Sequence, residues 1–554
     1  MMSDYIPLYK SVKSVRYGHR ESKMKLKSAF AAALLAATMM SGAAAAKTFV
    51  YCSEGSPEGF DPGLYTAGTT FDAAAHTVYN RLLEFKPGTT ETIPGLAEDY
   101  QISEDGLEYT FKLRPGVKFH TTEYFTPTRD LNADDVVYSF ERQWKSDNPW
   151  NKYVAGANWE YFNGMGLPDL LESVEKVDDL TVRIKLKRPE APFLASLAMP
   201  FASIMSKEYL DKLEADGQMN LLNQQPVGTG PFQFVAYQQD AVIRYKANEN
   251  YHNGKQKIDD LVFAITPDAS VRYQKLKAGE CHLMPYPNSA DVEEIKADPN
   301  LKVQEQEGLN VAYLAYNTKV APFDDVRVRK ALNHAINKEA IVEAVFQGQA
   351  TPAKNPIPPT MWSYNDAIED DAYDLDQAKK LLEEAGVGNF DMKIWAMPVS
   401  RPYMLNARRA AEIMQADFQK IGVNVEIVSY EWAEYLERSK AEDRDGAVML
   451  GWTGDNGDPD NFLHTLLGCE AVGGNNRAQW CNEEFNSLVM KAKEASEVDE
   501  RTRLYEEAQV VFKREAPWAT IDHSLSVVPM RKNVEGFVQS PLGDFAFEGV
   551  DLVE

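Results

Sequence analysis

The chain has 554 residues, 44% hydrophobic and 25% charged, so it is long enough to form at least two lobes with substantial cores. Acidic residues outnumber Lys and Arg by 83 to 58, which gives a formal net charge of −25 at pH 7. Such an acidic protein repels nucleic acids and anionic membrane surfaces, so neither is expected as a partner.

Residues 24–46 are typical of a secretory signal peptide. Basic residues follow Met24, an apolar stretch runs from Ser28 to Met40, and an alanine-rich segment ends at Ala46, where cleavage is expected before export to the periplasm. The apolar stretch is too short to span a bilayer, and no later stretch reaches that length. Residues 1–23 resemble an upstream extension from a mis-assigned start codon. The first 46 residues carry seven basic and two acidic side chains, so the exported chain would have a charge of −30.

The four cysteines, an even number in an oxidising compartment, predict two disulfides. Three pairings are possible. The short spacing favours Cys469 with Cys481, whose 13-residue loop would contribute about 3 kcal/mol of stability, and this leaves Cys52 with Cys281. No CxxC motif or Cys/His pair at ligand spacing occurs, so neither a metal site nor a cofactor is predicted.

The first half of the chain is rich in predicted strands. Residues 107–113 alternate apolar and polar side chains, turn at Arg114-Pro-Gly116 and resume at residues 117–120, which predicts a hairpin. Asn132 is placed to cap a helix that carries Val136 and Phe140. Residues 182–186 form another alternating strand.

The region after residue 308 has a regular alternation of strands and helices. Strands are predicted over 390–397, 423–429 and 447–452, with helices over 406–421 and 432–440. Gly422 ends the first of these helices. A β-α-β-α-β order implies parallel strands joined by right-handed crossovers, and therefore an α/β fold.

A ligand site is predicted where these parallel strands end, because clefts in such sheets lie beyond the carboxyl ends of the strands. The first strand leads to Arg401 and the third to Asp455. Asp455 suits an ammonium group, and the planar guanidinium of Arg401 suits a carboxylate. Two opposite charges at a fixed distance would select peptides by length, since each residue extends a peptide by about 3.3–3.6 Å. The alternative is that Arg401 and Asp455 pair with each other or with solvent.

No catalytic motif is present, so no catalytic residue is predicted. The sequence lacks a GxSxG elbow, an HExxH helix, a Walker loop and a GxGxxG motif after a strand. Gly228-Thr-Gly230 lacks the lysine of a phosphate loop and is interpreted as a structural turn. The eight histidines are scattered. These observations argue against a secreted hydrolase, although that alternative stays open.

Several blocks of sequence resemble extracellular solute-binding protein family 5, and within it the periplasmic dipeptide receptors of bacterial ABC transporters. The resemblance begins at residue 47 and continues to PLG at 541–543, so it covers nearly the whole exported chain. Its most specific blocks are ITPDASVRY at 265–273, IPPTMW at 357–362, WAMPV at 395–399 followed by RPY at 401–403, and GWTGDNGDPDNF at 451–462.

The resemblance implies an α/β fold with two lobes that close like a clamp, with an additional β-rich subdomain in lobe I. Lobe I would comprise residues 47–307 and 526–554, and lobe II residues 308–525. The chain would cross between the lobes near Gly308-Leu-Asn310 and Ser524-Leu525. The disulfide pairing that the spacing favours is also the one that the resemblance implies.

The resemblance also implies roles for individual residues. Asp455 would bind the amino group of a dipeptide and Arg401 its carboxylate. Further contacts would come from lobe I and from the backbone of the two loops: Thr66, Pro402, Tyr403, Trp452, Thr453 and Gly454. The expected function is a monomeric, non-enzymatic receptor that delivers dipeptides to inner-membrane ABC permease subunits; a chemoreceptor partner is left open. A receptor for haem or another oligopeptide on the same fold is the alternative.

Overall fold

The computed structural model describes residues 46–154 and 158–553. The predicted upstream extension and, except for Ala46, the predicted signal peptide lie outside these residues. Within the described ranges, no helix is both long and apolar enough to cross a lipid bilayer. Residues from Lys47 onward form one compact unit.

The strands of the described residues are numbered in chain order. They are β1 (Thr48–Tyr51), β2 (Leu83–Phe85), β3 (Thr92–Pro94), β4 (Ala97–Ile102), β5 (Glu108–Leu113), β6 (Leu171–Asp178), β7 (Thr181–Leu186), β8 (Phe232–Gln238), β9 (Val242–Ala247), β10 (Asp260–Ala264), β11 (Leu301–Glu307), β12 (Asn310–Tyr316), β13 (Ala350–Pro352), β14 (Phe390–Trp395), β15 (Val423–Val428), β16 (Ala447–Thr453), β17 (Trp518–Thr520), β18 (Asp522–Arg531), β19 (Val534–Glu535) and β20 (Asp551–Leu552).

The α-helices are numbered in the same way, and several are single turns. They are α1 (Gly68–Thr70), α2 (Ala133–Trp144), α3 (Glu160–Gly164), α4 (Leu167–Leu170), α5 (Phe193–Leu197), α6 (Lys207–Ala215), α7 (Ala269–Ala278), α8 (Val292–Ala297), α9 (Val326–His334), α10 (Lys338–Phe346), α11 (Leu375–Glu384), α12 (Ala407–Gln419), α13 (Trp432–Ser439), α14 (Asp460–Leu467), α15 (Glu483–Glu494) and α16 (Val498–Glu515).

Buried apolar side chains form two large clusters, which define the two lobes. The lobe I cluster draws on residues between Phe49 and Leu283 and on the C-terminal segment from Val528 to Val550. The lobe II cluster lies almost entirely between Leu309 and Ile521. A discontinuous first lobe thus surrounds a second lobe in the chain order, while the exact limits 47–307, 308–525 and 526–554 stay a prediction.

Lobe I contains two four-stranded sheets, β1-β10-β9-β8 and β4-β5-β7-β6. The predicted strand β5 is present and buries Tyr109, Phe111 and Leu113 on one face, but the predicted hairpin is wrong because β5 pairs with β4 and β7. Residues 117–120 form no strand. Their backbone groups bond to loops instead, with the Leu131 N–H donating to the Val117 carbonyl and the His120 N–H to the Gly228 carbonyl, both at 2.9 Å.

The predicted cap of α2 is confirmed by a reciprocal pair of hydrogen bonds. The Asn132 side chain accepts from the Asp134 N–H at 3.0 Å, and the Asp135 carboxylate accepts from the Asn132 N–H at 2.9 Å. Such a capping box satisfies N–H groups that a helix leaves without partners in its first turn. The start of α2 is therefore fixed by three residues of local sequence.

The main sheet of lobe II has the order β15-β14-β16-β12-β17. Strand β14 is parallel to both β15 and β16, which confirms the predicted β-α-β-α-β arrangement. Strand β12, in which all seven residues are buried, adds to the sheet antiparallel to β16. The loops after β14 and β16 consequently leave the sheet at the same edge.

Two segments cross between the lobes side by side. Strand β11 continues through Gly308 into β12, and β17 continues into β18, which pairs with β11. The Asn310 and Ser524 residues bind each other at the crossing: the Asn310 amide donates to the Ser524 carbonyl at 3.1 Å and accepts from the Ser524 N–H at 2.9 Å. Side chain and backbone therefore hold the two crossings together.

The structure pairs Cys52 with Cys281 and Cys469 with Cys481, the two disulfides that the spacing favours. The first links β1 to the segment after α7 and belongs to a third, smaller buried cluster. The second closes a short loop between α14 and α15 in lobe II.

Candidate functional site

The loop after β14 holds Arg401 in a tight turn. The Arg401 N–H donates to the Met404 carbonyl at 3.1 Å, and the Met404 N–H donates back to the Arg401 carbonyl at 2.9 Å. The Ser524 hydroxyl donates to the Pro402 carbonyl at 2.7 Å. This turn is thus fastened to one of the two crossings between the lobes, next to which Arg401 is only partly exposed.

The loop after β16 holds Asp455 through a single asparagine. Asn461 accepts from the Asp455 N–H and from the Trp452 indole, both at 2.9 Å, and donates to the Asp455 carboxylate at 3.3 Å. Backbone and carboxylate of Asp455 are therefore both fixed by the start of α14. A side chain held at both points keeps its position before any ligand arrives.

The Asp455 carboxylate also contacts lobe I. The hydroxyl of Tyr161, which lies on α3, is near enough to interact with it. Burial raises the pKa of Asp455 to about 7, the interactions with Tyr161 and Asn461 oppose this rise, and the negative charge of Asp544 adds to it. A cation in the cleft would lower the pKa of Asp455 and so favour its ionised, carboxylate form.

The positive charge of Arg401 affects the pKa values of two residues of lobe I, Glu58 and Tyr286. Burial raises the pKa of Glu58, and the charge of Arg401 opposes this rise. The same charge acts on Tyr286, whose pKa burial raises. The opening between the lobes therefore has a cationic group on one loop and an acidic group on the next, at neighbouring strand ends.

The remaining predicted residues lie at the end of β16 (Trp452 and Thr453), on the two loops (Pro402, Tyr403 and Gly454) and in lobe I (Thr66). Trp452 is partly buried and packs against both hydrophobic clusters. The Tyr403 ring covers Gly451, where a Cβ atom would come within 2.2 Å of that ring. A side chain at position 451 would therefore displace Tyr403 from its place beside Arg401.

The backbone of residues 453–454, where β16 ends, already pairs with the chain at the start of β12. Thr453 pairs with Asn310 at the end of β12, and the Gly454 N–H donates to the Leu309 carbonyl at 2.7 Å. A Cβ atom at Gly454 would lie 2.7 Å from the Leu309 side chain. Any ligand contact with the Gly454 N–H would thus have to share that donor.

Thr66 is exposed in the loop just before α1. This loop leads into Phe71, whose ring centroid lies 6.1 Å from that of Tyr161. Thr66 therefore belongs to the segment that supports the partner of Asp455, and its contact with a ligand stays a prediction.

The other two aspartates of the β16 loop have structural roles. Asp458 is buried and accepts from the Arg501 guanidinium at 2.7 and 2.8 Å. Asp460 begins α14, where the Asp458 carboxylate accepts its N–H at 3.0 Å. Asp458 and Asp460 are therefore engaged within the fold, whereas the role of Asp455 toward a ligand stays a prediction.

A second set of contacts joins the lobes away from Asp455. The Lys493 ammonium on α15 lies 3.1 Å from Glu190 of lobe I and 3.6 Å from Asp460, and all three side chains are at least nine-tenths buried. The Ala191 N–H donates to the Lys493 carbonyl at 2.7 Å. A buried ion pair and a backbone hydrogen bond thus stabilise this approach of the lobes.

Sequence reasoning missed Tyr161, Asn461 and Asp544 at this site. Asn461 follows the acidic turn closely and could have been found from the frequency with which asparagine side chains bind turn backbone. Tyr161 and Asp544 gave no local signal, because they come from segments far away in the sequence. Only the folded chain brings them to Asp455.

The chain is similar in sequence to known bacterial solute-binding proteins. The sequence model of the bacterial extracellular solute-binding proteins, family 5 Middle, matches residues 91–474, more than half of the chain. The dipeptide-binding protein of Escherichia coli (strain K12) is 55% identical over 520 residues, which cover 94% of this chain and 97% of that protein. Heme-binding protein A of Haemophilus influenzae is 52% identical over 506 residues, which cover 91% and 92% of the two chains.

A solved structure is similar over the same extent. The crystal structure of the dipeptide binding protein from Pseudoalteromonas sp. SM9913 in complex with Met-Leu has a TM-score of 0.87 and 41% sequence identity, and the match covers 92% of this chain and 100% of that one. The similarity thus extends through both lobes of the described chain.

Proposed function

The chain belongs to the bacterial extracellular solute-binding proteins of family 5, and from this premise we propose that it is a receptor for dipeptides, which it binds between its two lobes. Its fold is the mixed α/β fold of this family, with two lobes. The family consists of solute-binding receptors, and we propose that this member has no enzymatic activity. The observation that carries the proposal is the pairing of a cationic and an acidic loop, Arg401 and Asp455, at adjacent strand ends.

The proposed binding mechanism combines charge pairing with the two ends of the peptide and closure of the two lobes around it. Asp455 would accept hydrogen bonds from the amino group of the peptide, and Arg401 would donate two to its carboxylate. Tyr161 already connects Asp455 to lobe I, so a peptide bound there would contact both lobes at once. A ligand that contacts both lobes shifts the population toward the closed form.

The proposed site keeps the predicted set of residues. Asp455 and Arg401 are its two anchors, and Thr66 contributes from lobe I. The backbone of residues 402–403 and 452–454 supports the peptide between them. Recognition through the two termini would make binding tolerant of different peptide side chains.

The cellular role is part of the proposal. The exported chain would begin at Lys47 after cleavage behind Ala46 and would act in the periplasm as a monomer. It would deliver its ligand to the inner-membrane permease subunits of an ABC transporter; a chemoreceptor is a further candidate partner. Lobe I (residues 47–307 and 526–554) and lobe II (residues 308–525) would then be the two surfaces that a permease contacts.

The function is tested by calorimetric titration with Met-Leu and its blocked forms. We expect Met-Leu to bind, while the N-acetylated peptide and the C-terminal amide each bind at least about tenfold more weakly because one charge-assisted contact is lost. Mass spectrometry of ligand released from protein purified without denaturation gives an independent reading. Equal affinity for Met-Leu and its N-acetylated form would contradict the proposal.

Substitution of Arg401 by lysine is expected to lower the affinity for Met-Leu about 10- to 100-fold. Lysine keeps the charge but cannot form the bidentate contact, and a hydrogen bond to a charged group contributes about 1.5–3 kcal/mol. The C-terminal amide should lose less in this variant than in the parent protein. Exposed Arg408 on α12 provides the control Arg408→Lys, which should bind Met-Leu like the parent. Equal losses with the acid and the amide would exclude Arg401 as the carboxylate anchor.

Haem is the second candidate ligand, because heme-binding protein A of Haemophilus influenzae is 52% identical to this chain. Titration with haemin should give no shift of the Soret band if the site takes peptides alone. A saturable shift that Met-Leu abolishes would assign both ligands to the same cleft.

A further inference from the structure

Three side chains of types that can bind metal ions come together in lobe I. Asp72 lies in a short π-helical turn, Phe71–Ala75, and His76 follows it directly. Asp544 comes from the C-terminal segment, just after Gly543. One ligand atom from each of the three side chains lies within 4.8 Å of the other two, and His76 Nε2 is 3.5 Å from Asp544 Oδ1.

We propose that Asp72, His76 and Asp544 form a binding site for a divalent transition-metal ion such as Zn²⁺. Protein nitrogen and oxygen ligands lie about 2.0–2.2 Å from Zn²⁺, so two ligands of a tetrahedral ion are about 3.4 Å apart. The separation of His76 from Asp544 already matches this value. Two carboxylates and one imidazole leave a fourth position for water or a ligand group.

The surroundings of His76 support the site. Its Nε2 atom is buried and has no hydrogen-bond partner among the described residues, although its side chain keeps 12% of its exposure. A buried ring nitrogen that makes no hydrogen bond, and that forms an ion pair with Asp544 only when the ring is protonated, is costly for a histidine whose role is structural. Coordination of a metal ion would satisfy this atom.

The surroundings of Asp72 support the site independently. Its side chain is 3% exposed, accepts the Phe545 N–H at 2.9 Å and takes part in no ion pair within the described ranges. The Asp544 carboxylate is its acidic neighbour in this cluster. A buried acidic group beside other acidic groups lacks a cation, and a divalent ion would supply one.

The imidazole determines which cation the site favours. Oxygen ligands alone suit Mg²⁺ and Ca²⁺, whereas an imidazole shifts preference toward Zn²⁺, Ni²⁺ and similar ions. The site also adjoins the proposed peptide anchor, since Asp544 acts on the pKa of Asp455. The proposal does not depend on peptide binding, because its three ligands belong to lobe I alone.

The test uses the exported chain without an affinity tag, dialysed against a chelator and then titrated calorimetrically with Zn²⁺ and with Mg²⁺. We expect one equivalent of Zn²⁺ to bind more tightly than Mg²⁺. His76→Ala and Asp544→Asn should each weaken Zn²⁺ binding at least about tenfold, since loss of even an outer contact costs 10–100-fold in metal affinity. The control His334→Ala, at the end of α9 in lobe II, should leave it unchanged.

Spectroscopy and stability provide readouts that a purely structural role would not change. Co²⁺ bound in place of Zn²⁺ should give visible absorption bands that His76→Ala removes, while circular dichroism shows the variant to be folded. Absent Zn²⁺ binding by the folded parent protein, equal affinity for Mg²⁺, or unchanged Zn²⁺ affinity in His76→Ala would each overturn the site. Titration of the same samples with Met-Leu separates the two proposals, because retained peptide binding would leave the proposed function intact.

Discussion

Substitution of Asp455 by asparagine is expected to abolish dipeptide binding and, at the same time, to stabilise the ligand-free protein. Asparagine has nearly the same shape and can still interact with the Tyr161 hydroxyl. It carries no charge, however, so the buried ammonium of the peptide would lose its counterion. Removal of one partner from a buried ion pair costs about 3–5 kcal/mol, which corresponds to a loss of affinity of at least about 100-fold.

The gain in stability follows from the raised pKa of Asp455. The unfolded chain releases this proton near pH 3.8, whereas the folded protein keeps it until about pH 7. Stability is therefore lost as the pH rises from about 4 to 7, and asparagine avoids this loss. We expect urea unfolding to show a more stable variant at pH 8, by about 1–3 kcal/mol, and no difference at pH 4.

The same titration predicts the pH dependence of binding in the parent protein. Below pH 7 the ammonium must displace a proton from Asp455, so the affinity for Met-Leu should fall about tenfold per pH unit toward pH 5. Above about pH 8 the peptide amine itself loses its proton, and affinity should fall again. Exposed Asp443 gives the matched control Asp443→Asn. Affinity that stays constant from pH 5 to 7, or that survives in Asp455→Asn, would refute the assignment.

The second large effect is expected from Lys493→Met, which removes the buried cation between the lobes. Glu190 and Asp460 would then face each other in the interior, with the more distant Arg188, 3.9 Å from Glu190, as a weaker counterion. Loss of one partner from such a cluster should lower the free energy of unfolding by about 3–5 kcal/mol. Dipeptide affinity should fall as well, because this contact between Lys493 and Glu190 exists only where the lobes meet.

The pH dependence of this loss has a defined sign. Burial already raises the pKa of Glu190, and Lys493 opposes this rise. Without Lys493 the pKa of Glu190 would rise further, so the folded variant would hold its proton at pH values where the unfolded chain releases it. The destabilisation should therefore be larger at pH 8 than at pH 5.

A double-mutant cycle with Glu190→Gln separates pairing from packing. Lys493→Met should cost less in the Glu190→Gln background, since there is then no buried charge of Glu190 to leave unpaired. Exposed Lys491, two residues earlier on α15, gives the control Lys491→Met with little expected change. Equal costs in the two backgrounds, measured by urea unfolding, would show that the Lys493 side chain contributes only packing.

The elements of lobe II were predictable because their signals are local. Helix α12 ends before Gly422, which has a φ of +84°, strand β14 alternates apolar with charged residues, and β16 is a nearly continuous apolar run. Antiparallel β12 in the same sheet was not predicted, since nothing in its own sequence reports its partner. The hairpin at residues 107–120 failed for the same reason: strand partners are chosen by the fold, and residues 117–120 found theirs in loops.

The sequence by itself determined the two charged loops, because Arg401 and Asp455 follow parallel strands whose carboxyl ends share one edge of a sheet. Only the tertiary structure decided what surrounds them. Tyr161 and Asp544 reach Asp455 from distant parts of the chain, and burial together with these neighbours raises the pKa of Asp455 to about 7. The spacing of cysteines and histidines likewise predicted no metal site, yet folding brings His76 to Asp544. Periodicity records how a segment folds locally, whereas burial and long-range contacts arise only when all segments pack.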